Sequence, residues 1–379
     1  MLAESVRRES VRRESVRGES VRGESGRGED TAEAPSAVHA TYATKRVSWP
    51  RDPARRPGWF ADLSMLPALV VLIAVLSLLT DGLLTPSNIT NVFSQSAVVA
   101  IAAIGATFVI LTGGIDLSTG SVIGAGGVAG AWIITSTGNV PAGVVAGLLT
   151  GTAIGLVVGA VVARMPVVPF AVTLAALYVV SGGTTLLSHG KTIAPVPSGF
   201  VGFSIDGPGG VPYSVWLAVV LYVIAQLVLT RTAWGRRVLH VGANVEVARI
   251  SGVNVTRTKA SVYAVAGLFS AIAGIVLTSG LAGAGASMGS PLLLNIVGAV
   301  VLGGTGLTGG QGSLLRTGIG VLFLGFLSNG MSLLGLASFD QQIVTGVIIF
   351  IAASANGLQR WLRRGPGNSM AIRGTDRCA

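Results

Sequence analysis

Between residues 65 and 358 the chain reads as ten apolar runs, near 65–84, 92–112, 119–136, 141–163, 168–188, 213–230, 260–280, 291–307, 314–334 and 341–358. A helical run of about 20 apolar residues matches the hydrocarbon thickness of a bilayer, and shorter runs serve where a helix is tilted or broken. Only 11% of the 379 residues are charged, whereas soluble domains carry about 25% because water must be met by polar surface. Lipid therefore replaces water around much of this fold. The sequence predicts an all-α, polytopic integral membrane protein with about ten transmembrane helices and broken or re-entrant glycine-rich segments. Its 54 glycines agree, since small residues let transmembrane helices approach closely. The single cysteine, Cys378, excludes an intramolecular disulfide and a cysteine-based metal site.

The net charge of +10 raises nucleic acid as a partner, but its distribution points to the bilayer. Arginines crowd the first 60 residues, the 231–259 loop and the C-terminal tail, and they are nearly absent from the apolar runs. An excess of Lys and Arg beside membrane spans on the cytoplasmic side accounts for that pattern. No nucleic-acid partner is expected.

Residues 4–28 form a tandem pentapeptide, ESVRR-ESVRR-ESVRG-ESVRG-ESGRG. With at most one valine per unit it has almost nothing to bury, so residues 1–60 are expected to be a disordered cytoplasmic tail. It lacks the apolar core of a signal peptide. A basic arm touching anionic headgroups and a dispensable low-complexity extension are both open readings.

If the arginine-rich N-terminus is cytoplasmic, odd-numbered spans run outward and even-numbered spans inward. Arg164 then falls at an inner junction, as does the loop bearing Arg231, Arg236, Arg237, Arg249, Arg257 and Lys259. Arg316 begins an outward span, and Arg360, Arg363 and Arg364 follow the last inward one. This gives a multi-pass membrane protein with both termini cytoplasmic: a transmembrane domain over 61–358 and a basic tail over 359–379.

Gly190-Lys191-Thr192 looks like the end of a phosphate-binding P-loop. Such a loop needs G-x-x-x-x-G-K-S/T between a buried strand and a helix, and Thr185 occupies the first glycine position. The segment instead leaves an apolar run for a proline-bearing loop on the outer side, where no ATP is available.

Three stretches interrupt the apolar pattern. In Gly113 to Ser121, Asp116 is the only carboxylate between residues 82 and 205. An ionisable group at membrane depth marks function, while Asp116, Ser118 or Thr119 capping the following helix is the structural reading. Val301 to Ser313 holds six glycines, which permit a broken helix, a close crossing or a hinge. Within Trp234 to Val255, Asn244 is placed to cap a short helix on which Glu246 and Arg249 stand three apart, and Ser251-Gly252 stops it. A short helix with charged and apolar faces suits docking into a groove of a cytoplasmic partner, or lying on headgroups.

Taken together, these residues resemble the permease subunits of bacterial ATP-binding-cassette (ABC) importers for monosaccharides, the family of ribose, xylose, galactose and autoinducer permeases. The resemblance covers about 65–358. It rests on ILTGGIDLSTGS at 110–121, GANVEVARISGVNV at 242–255, VVLGGT at 300–305 followed by Gly309-Gly310, SNGMSLLG at 328–335, and Gln341-Gln342. It implies two permease subunits, identical or paralogous, with two cytoplasmic ATPases and an extracytoplasmic sugar-binding protein. ATP and Mg would be used by the ATPase, with no cofactor, metal or catalytic residue in this chain. By the same resemblance Gly242, Asn244, Glu246, Ala248, Arg249, Ser251 and Gly252 form the coupling helix that the ATPase grips. Departures are also visible. Leu293 and Asn295 stand where the family often has carboxylates, and Asp340 replaces an aromatic. The residues expected to line the path or act as hinges are Asp116, Ser118, Asn295, Gly303, Gly304, Asn329, Gln341 and Gln342, each with capping or interhelical hydrogen bonding as its structural alternative. A branched-chain amino-acid or nucleoside permease is the alternative within transport. An ion-coupled secondary carrier would need a buried carboxylate near the midplane, and only Asp116 is offered.

Overall fold

The computed structural model describes residues 65–363, with side chains as far as Ser354. The tail expected over 1–60 lies outside the described residues, as does the basic tail beyond Arg363. The chain order is α1 (Leu66–Leu79), α2 (Pro86–Leu111), α3 (Thr119–Thr137), α4 (Val140–Arg164), α5 (Pro169–Leu187) and α6 (Ser198–Val201). Then come α7 (Tyr213–Arg231), α8 (Ala233–Ala243), α9 (Val245–Ile250), α10 (Val255–Gly280), α11 (Leu293–Leu302), α12 (Leu314–Leu333) and α13 (Ser338–Arg363). Each of the ten apolar runs contains one of these helices. Among the described residues the sole extended pairing is an isolated bridge between Ile193 and Ala284.

Local chemistry sets the boundaries. Pro86 and Pro169 are the first residues of α2 and α5, where a missing N–H costs nothing and the ring fixes a helical φ. Gly138, with φ +70°, ends α3, and Asn139 starts α4 by accepting a hydrogen bond from the Ala142 N–H at 2.9 Å. That two-residue turn makes α3 and α4 antiparallel neighbours.

The core is built around α2 and α10. At 26 residues each they run about 39 Å, more than the hydrocarbon thickness of about 30 Å. Ile101, Ile104 and Phe108 of α2 and Val262 and Tyr263 of α10 are fully buried. Helix α10 packs against α2, α3 and α4, while α2 also meets α7, α11 and α12. The tightest seam lies between α4 and α10. Gly143, Gly147, Gly151, Gly155 and Gly159 recur every fourth residue and form the buried stripe of α4. A Cβ at Gly155 would collide with the Tyr263 carbonyl and stand 3.0 Å from the Gly267 Cα, and one at Gly159 would stand 2.8 Å from the Ala260 carbonyl. Higher on the stripe, Gly143 and Gly147 meet the carbonyls of Gly130 and Gly126 of α3. In lipid such close approach supplies the dispersion contact that water would otherwise drive by exclusion.

Among the described residues six helices, α2, α4, α5, α7, α10 and α12, are long and apolar enough to cross a membrane. The eighth run departs from the expected single span over 291–307. After a 3₁₀ turn at Ser290–Leu292, α11 has only 10 residues, about 15 Å. It stops at Leu302 because Gly304 turns at φ +75° and the Thr305 N–H returns to the Val300 carbonyl; α12 lies so close there that a Cβ at Gly303 would sit 2.7 Å from the Arg316 carbonyl.

The connections gather on two faces. One carries 112–118, 165–168, 232–254 and 303–313, and on it or beside it lie Arg164, Arg231, Arg236, Arg237, Arg249, Arg257, Lys259 and Arg316. The other carries 80–85, 138–139, 188–212, 281–292 and 334–337, where Lys191 is the one Lys or Arg among the described residues. Hydrogen bonds from Ser279 Oγ to the Phe200 carbonyl (2.7 Å) and Ser204 Oγ to the Val276 carbonyl (3.1 Å) tie that opposite face together.

Candidate functional site

On the basic face, α8 and α9 are built from local signals and held to the core by one aromatic. Thr232 Oγ1 accepts from the Gly235 N–H at 3.1 Å to start α8. Trp234 then reaches inward: its Nε1–H donates to Ser261 Oγ of α10 at 2.9 Å, and its ring meets Phe108 of α2 edge-on at 5.1 Å. Val238 and Val241 are fully buried beneath the same helix. Asn244, extended at φ −162°, caps α9 by accepting from the N–H groups of Glu246 (2.9 Å) and Val247 (3.1 Å). Such a cap is worth about 1 kcal/mol.

Helix α9 ends as its residues dictate. The Gly252 N–H donates to the Arg249 carbonyl, Gly252 takes φ +80°, and the Val253 N–H returns to the Ala248 carbonyl at 3.0 Å, a glycine-terminated closure that satisfies the last carbonyls. Ala248 is buried against the body of the protein. Glu246 and Arg249 pair at 3.2 Å with both side chains exposed, so the pair adds little stability by itself. Val247 and Ile250 stand 53% and 82% exposed, which leaves an apolar surface on a six-residue helix outside the spans. A cleft of about 420 Å³ beside α9 is lined by Arg249, Asn254 and Lys259 together with Met165, Val167 and Pro169.

The other two interruptions come to the same place. The Gly310 N–H donates to the Leu111 carbonyl at 2.9 Å, and a Cβ on Gly113 would lie 3.5 Å from the Thr308 carbonyl. A cleft of about 440 Å³ is lined by Gly242, Ala243 and Thr308 to Gln311. Asp116 is buried, and its Oδ1 accepts from the Ser118 N–H (2.8 Å) and the Ser118 hydroxyl (2.6 Å). Burial pushes its carboxyl above the ordinary carboxylate range, and the Ser118 and Thr119 hydrogen bonds pull against that rise. Asp116 thus folds the turn into α3 through Ser118, which occupies the cap position without a side-chain cap bond of its own. Thr173 at the start of α5 donates to the Ile115 carbonyl at 3.1 Å, and the buried Tyr263 hydroxyl, facing Gly114, makes no hydrogen bond among the described residues.

The remaining polar residues singled out in the sequence sit at the opposite face, away from this cluster. Asn329 and Asn88 exchange amide hydrogen bonds at 2.8 and 2.9 Å, joining α12 to α2. Gln341 Nε2 donates to Ser332 Oγ (3.1 Å) and the Leu336 carbonyl (3.0 Å), and its Oε1 accepts from Ser328. Both side chains are engaged in holding helices together. Asn295 is half-buried and Gln342 exposed, and both lie near the helix starts on that face. Gly190 and Lys191 lie in an exposed turn there, with Gly190 at φ +68°.

Two features were not singled out in the sequence. Trp234 begins a stretch whose short helix drew the attention, although a lone Trp beside a basic loop is a signal of anchoring. The α4 stripe was absorbed into the overall glycine content, although five glycines at four-residue spacing spell it out.

Comparison with known proteins agrees with this architecture. The family model described as "Branched-chain amino acid transport system / permease component" matches residues 88–353. The ribose import permease protein RbsC of Bacillus subtilis is 41% identical over 298 residues, covering 78% of this chain and 92% of that protein. The L-arabinose ABC transporter permease protein AraH of Azospirillum brasilense is 33% identical over 323 residues (82% and 93%), and the xylose transport system permease protein XylH of Escherichia coli 31% over 351 residues (76% and 89%).

Proposed function

Since the chain belongs to the permease family of ABC importers, a transport component rather than an enzyme, we propose that it forms the membrane passage for a monosaccharide, with a pentose as first choice. The sugar is delivered by an extracytoplasmic binding protein, and ATP with Mg is used by a separate ATPase subunit. Pentoses come first because ribose, L-arabinose and xylose name the relatives, and these favour sugar over the amino-acid or nucleoside alternative.

One observation carries the mechanical part of this reading. A capped helix on the basic face offers Val247 and Ile250 outward, while Gly242 and Ala243 just before its cap touch the backbone at the end of α2 and in the connection from α11 to α12. The excess of Lys and Arg supports a cytoplasmic position for that face, where an ATPase would meet it. Closure of the ATPase pair on ATP would then shift α9 and rock the helices between outward- and inward-facing arrangements. A second permease copy completes the passage, in keeping with the twofold symmetry common to such assemblies. The path itself would run along faces that this chain leaves open, among which α5 is foremost.

The test is purification of tagged protein from gently solubilised native membranes, followed by reconstitution. Recovery of an ATPase and a binding protein, with ATP-dependent uptake of the binding protein's own ligand, supports the proposal. Solute movement by the permease alone, without ATP, would overturn it in favour of a secondary carrier and direct mutagenesis to Asp116.

A further inference from the structure

Three chain segments, more than 60 residues apart from one another in sequence, meet backbone to backbone on the basic face. They are the C-terminus of α2 at Leu111–Gly113, the C-terminus of α8 at Gly242–Ala243, and Gly309–Gly310 in the connection from α11 to α12. The Gly310 N–H donates to the Leu111 carbonyl at 2.9 Å. A Cβ on Gly242 would fall on that same carbonyl and lie 2.5 Å from the Gly310 nitrogen. One on Gly309 would lie 2.7 Å from the Gly113 nitrogen and 3.0 Å from the Gly242 carbonyl, and one on Gly310 would lie 2.6 Å from the Ala243 Cα. Gly309 and Gly310 also take φ of +81° and +74°, which side chains disfavour.

We infer that this knot is the joint through which movement of α9 reaches the end of α2 and the connection from α11 to α12, with Gly242, Gly309 and Gly310 as its positioning residues. A contact between side chains can absorb displacement by changing rotamers, but backbones already at contact distance cannot, because packed interiors are stiff. Gly242 stands two residues before the Asn244 cap. A push on α9 is therefore delivered directly to the last carbonyl of α2, whose chain continues into the Asp116 turn, and to the loop that separates α11 from α12. Trp234 holds the other end of α8 to Phe108 and Ser261, so α8 pivots at a fixed point and does not slide. The inference rests on the ATPase-coupled reading above.

Hydrogen exchange on the assembled wild-type complex tests it without any mutation. If the joint moves as one body, peptides carrying the Gly310 amide keep their protection, within about twofold, between the nucleotide-free complex and the complex trapped with a non-hydrolysable ATP analogue. A tenfold or greater rise in exchange on trapping would show that the joint opens, and would overturn the inference. Gly242→Ala supplies the functional arm. The expected result, measured on the permease that reaches the membrane, is at least a tenfold fall in the ratio of binding-protein-stimulated to unstimulated ATP hydrolysis. An unchanged ratio would overturn the inference, and a variant that fails to reach the membrane leaves the exchange experiment to decide. Failure of the wild-type complex to couple hydrolysis to transport would instead reject the proposed function.

Discussion

Helices α4 and α5 are neighbours in sequence, both apolar, both long enough to cross a bilayer, and both glycine-bearing, yet their glycines do opposite things. On α4 the five-membered stripe brings backbone against α3 and α10, and no side chain would fit. On α5, Gly182 and Gly183 have nothing within 4 Å of where a Cβ would stand, and Tyr178, Val179, Leu186 and Leu187 are 70–76% exposed. Hydropathy cannot tell a central helix from a peripheral one when the solvent is itself apolar. Spacing of small residues can, because it records where backbones touch.

The strongest way to break this contrast is Gly155→Leu. The new side chain would enter the Tyr263 carbonyl and the Gly267 backbone, neither of which can rotate away, so the seam between α4 and α10 would have to part. Overpacking of this severity costs more than about 4 kcal/mol, and the expected outcome is loss of recoverable folded permease, read as monodisperse protein after mild solubilisation. Normal yield and dispersity would mean that the seam is looser than the geometry states.

Next in size is Ile250→Asp, which carries the distinction between covered and uncovered positions beyond the spans. Ile250 is 82% exposed, so stability should hold within about 0.5 kcal/mol. If the ATPase covers it, burial of an unpaired carboxylate should weaken association at least tenfold, or about 1.4 kcal/mol. Surface-immobilised permease titrated with purified ATPase measures this, and unchanged binding would move the contact elsewhere on α9.

A smaller effect is expected from Asn329→Ala. The variant removes both amide hydrogen bonds to Asn88, although Asn88 keeps its bond to the Leu83 carbonyl at 2.9 Å. Interhelical hydrogen bonds in membranes average about 0.6 kcal/mol, so the Tm of the solubilised protein should fall by a few degrees while transport persists. Lost transport with an unchanged Tm would instead place Asn329 on the sugar's path.

What the sequence made legible follows from which forces are local. All ten helices, the Asn244 cap, the Gly252 stop and the uneven distribution of arginine are written in neighbouring residues, and the structure has them. The break that ends α11 at Leu302 was legible in the glycines of Val301 to Ser313, whereas the 3₁₀ turn at Ser290–Leu292, which delays its start within an apolar run, was not. That Asn329 and Gln341 hold helices together was one of the two readings their position offered, but their partners were not legible. A polar residue in an apolar run looks the same whether its partner is a sugar or another helix, and Asn88 lies 241 positions away. The meeting of Leu111, Gly242 and Gly310 was hidden for the same reason.

The smallest predicted effect is the most informative about what lies outside this chain. Gly183→Ala places a methyl in open space and exchanges the second-worst helix former for the best, a gain of up to about 1 kcal/mol in a helix interior. For the permease by itself, Tm should stay level or rise slightly. If a second copy or the sugar covers this side of α5, the same methyl meets a surface that the isolated chain does not contain. Transport, or cross-linking between copies through a cysteine at Tyr178, would then fall while Tm does not. A fall in both would mean that α5 packs within its own chain after all, and the contrast with α4 would dissolve. No change in any of the three would mark α5 as a purely lipid-facing helix and move the passage to another face.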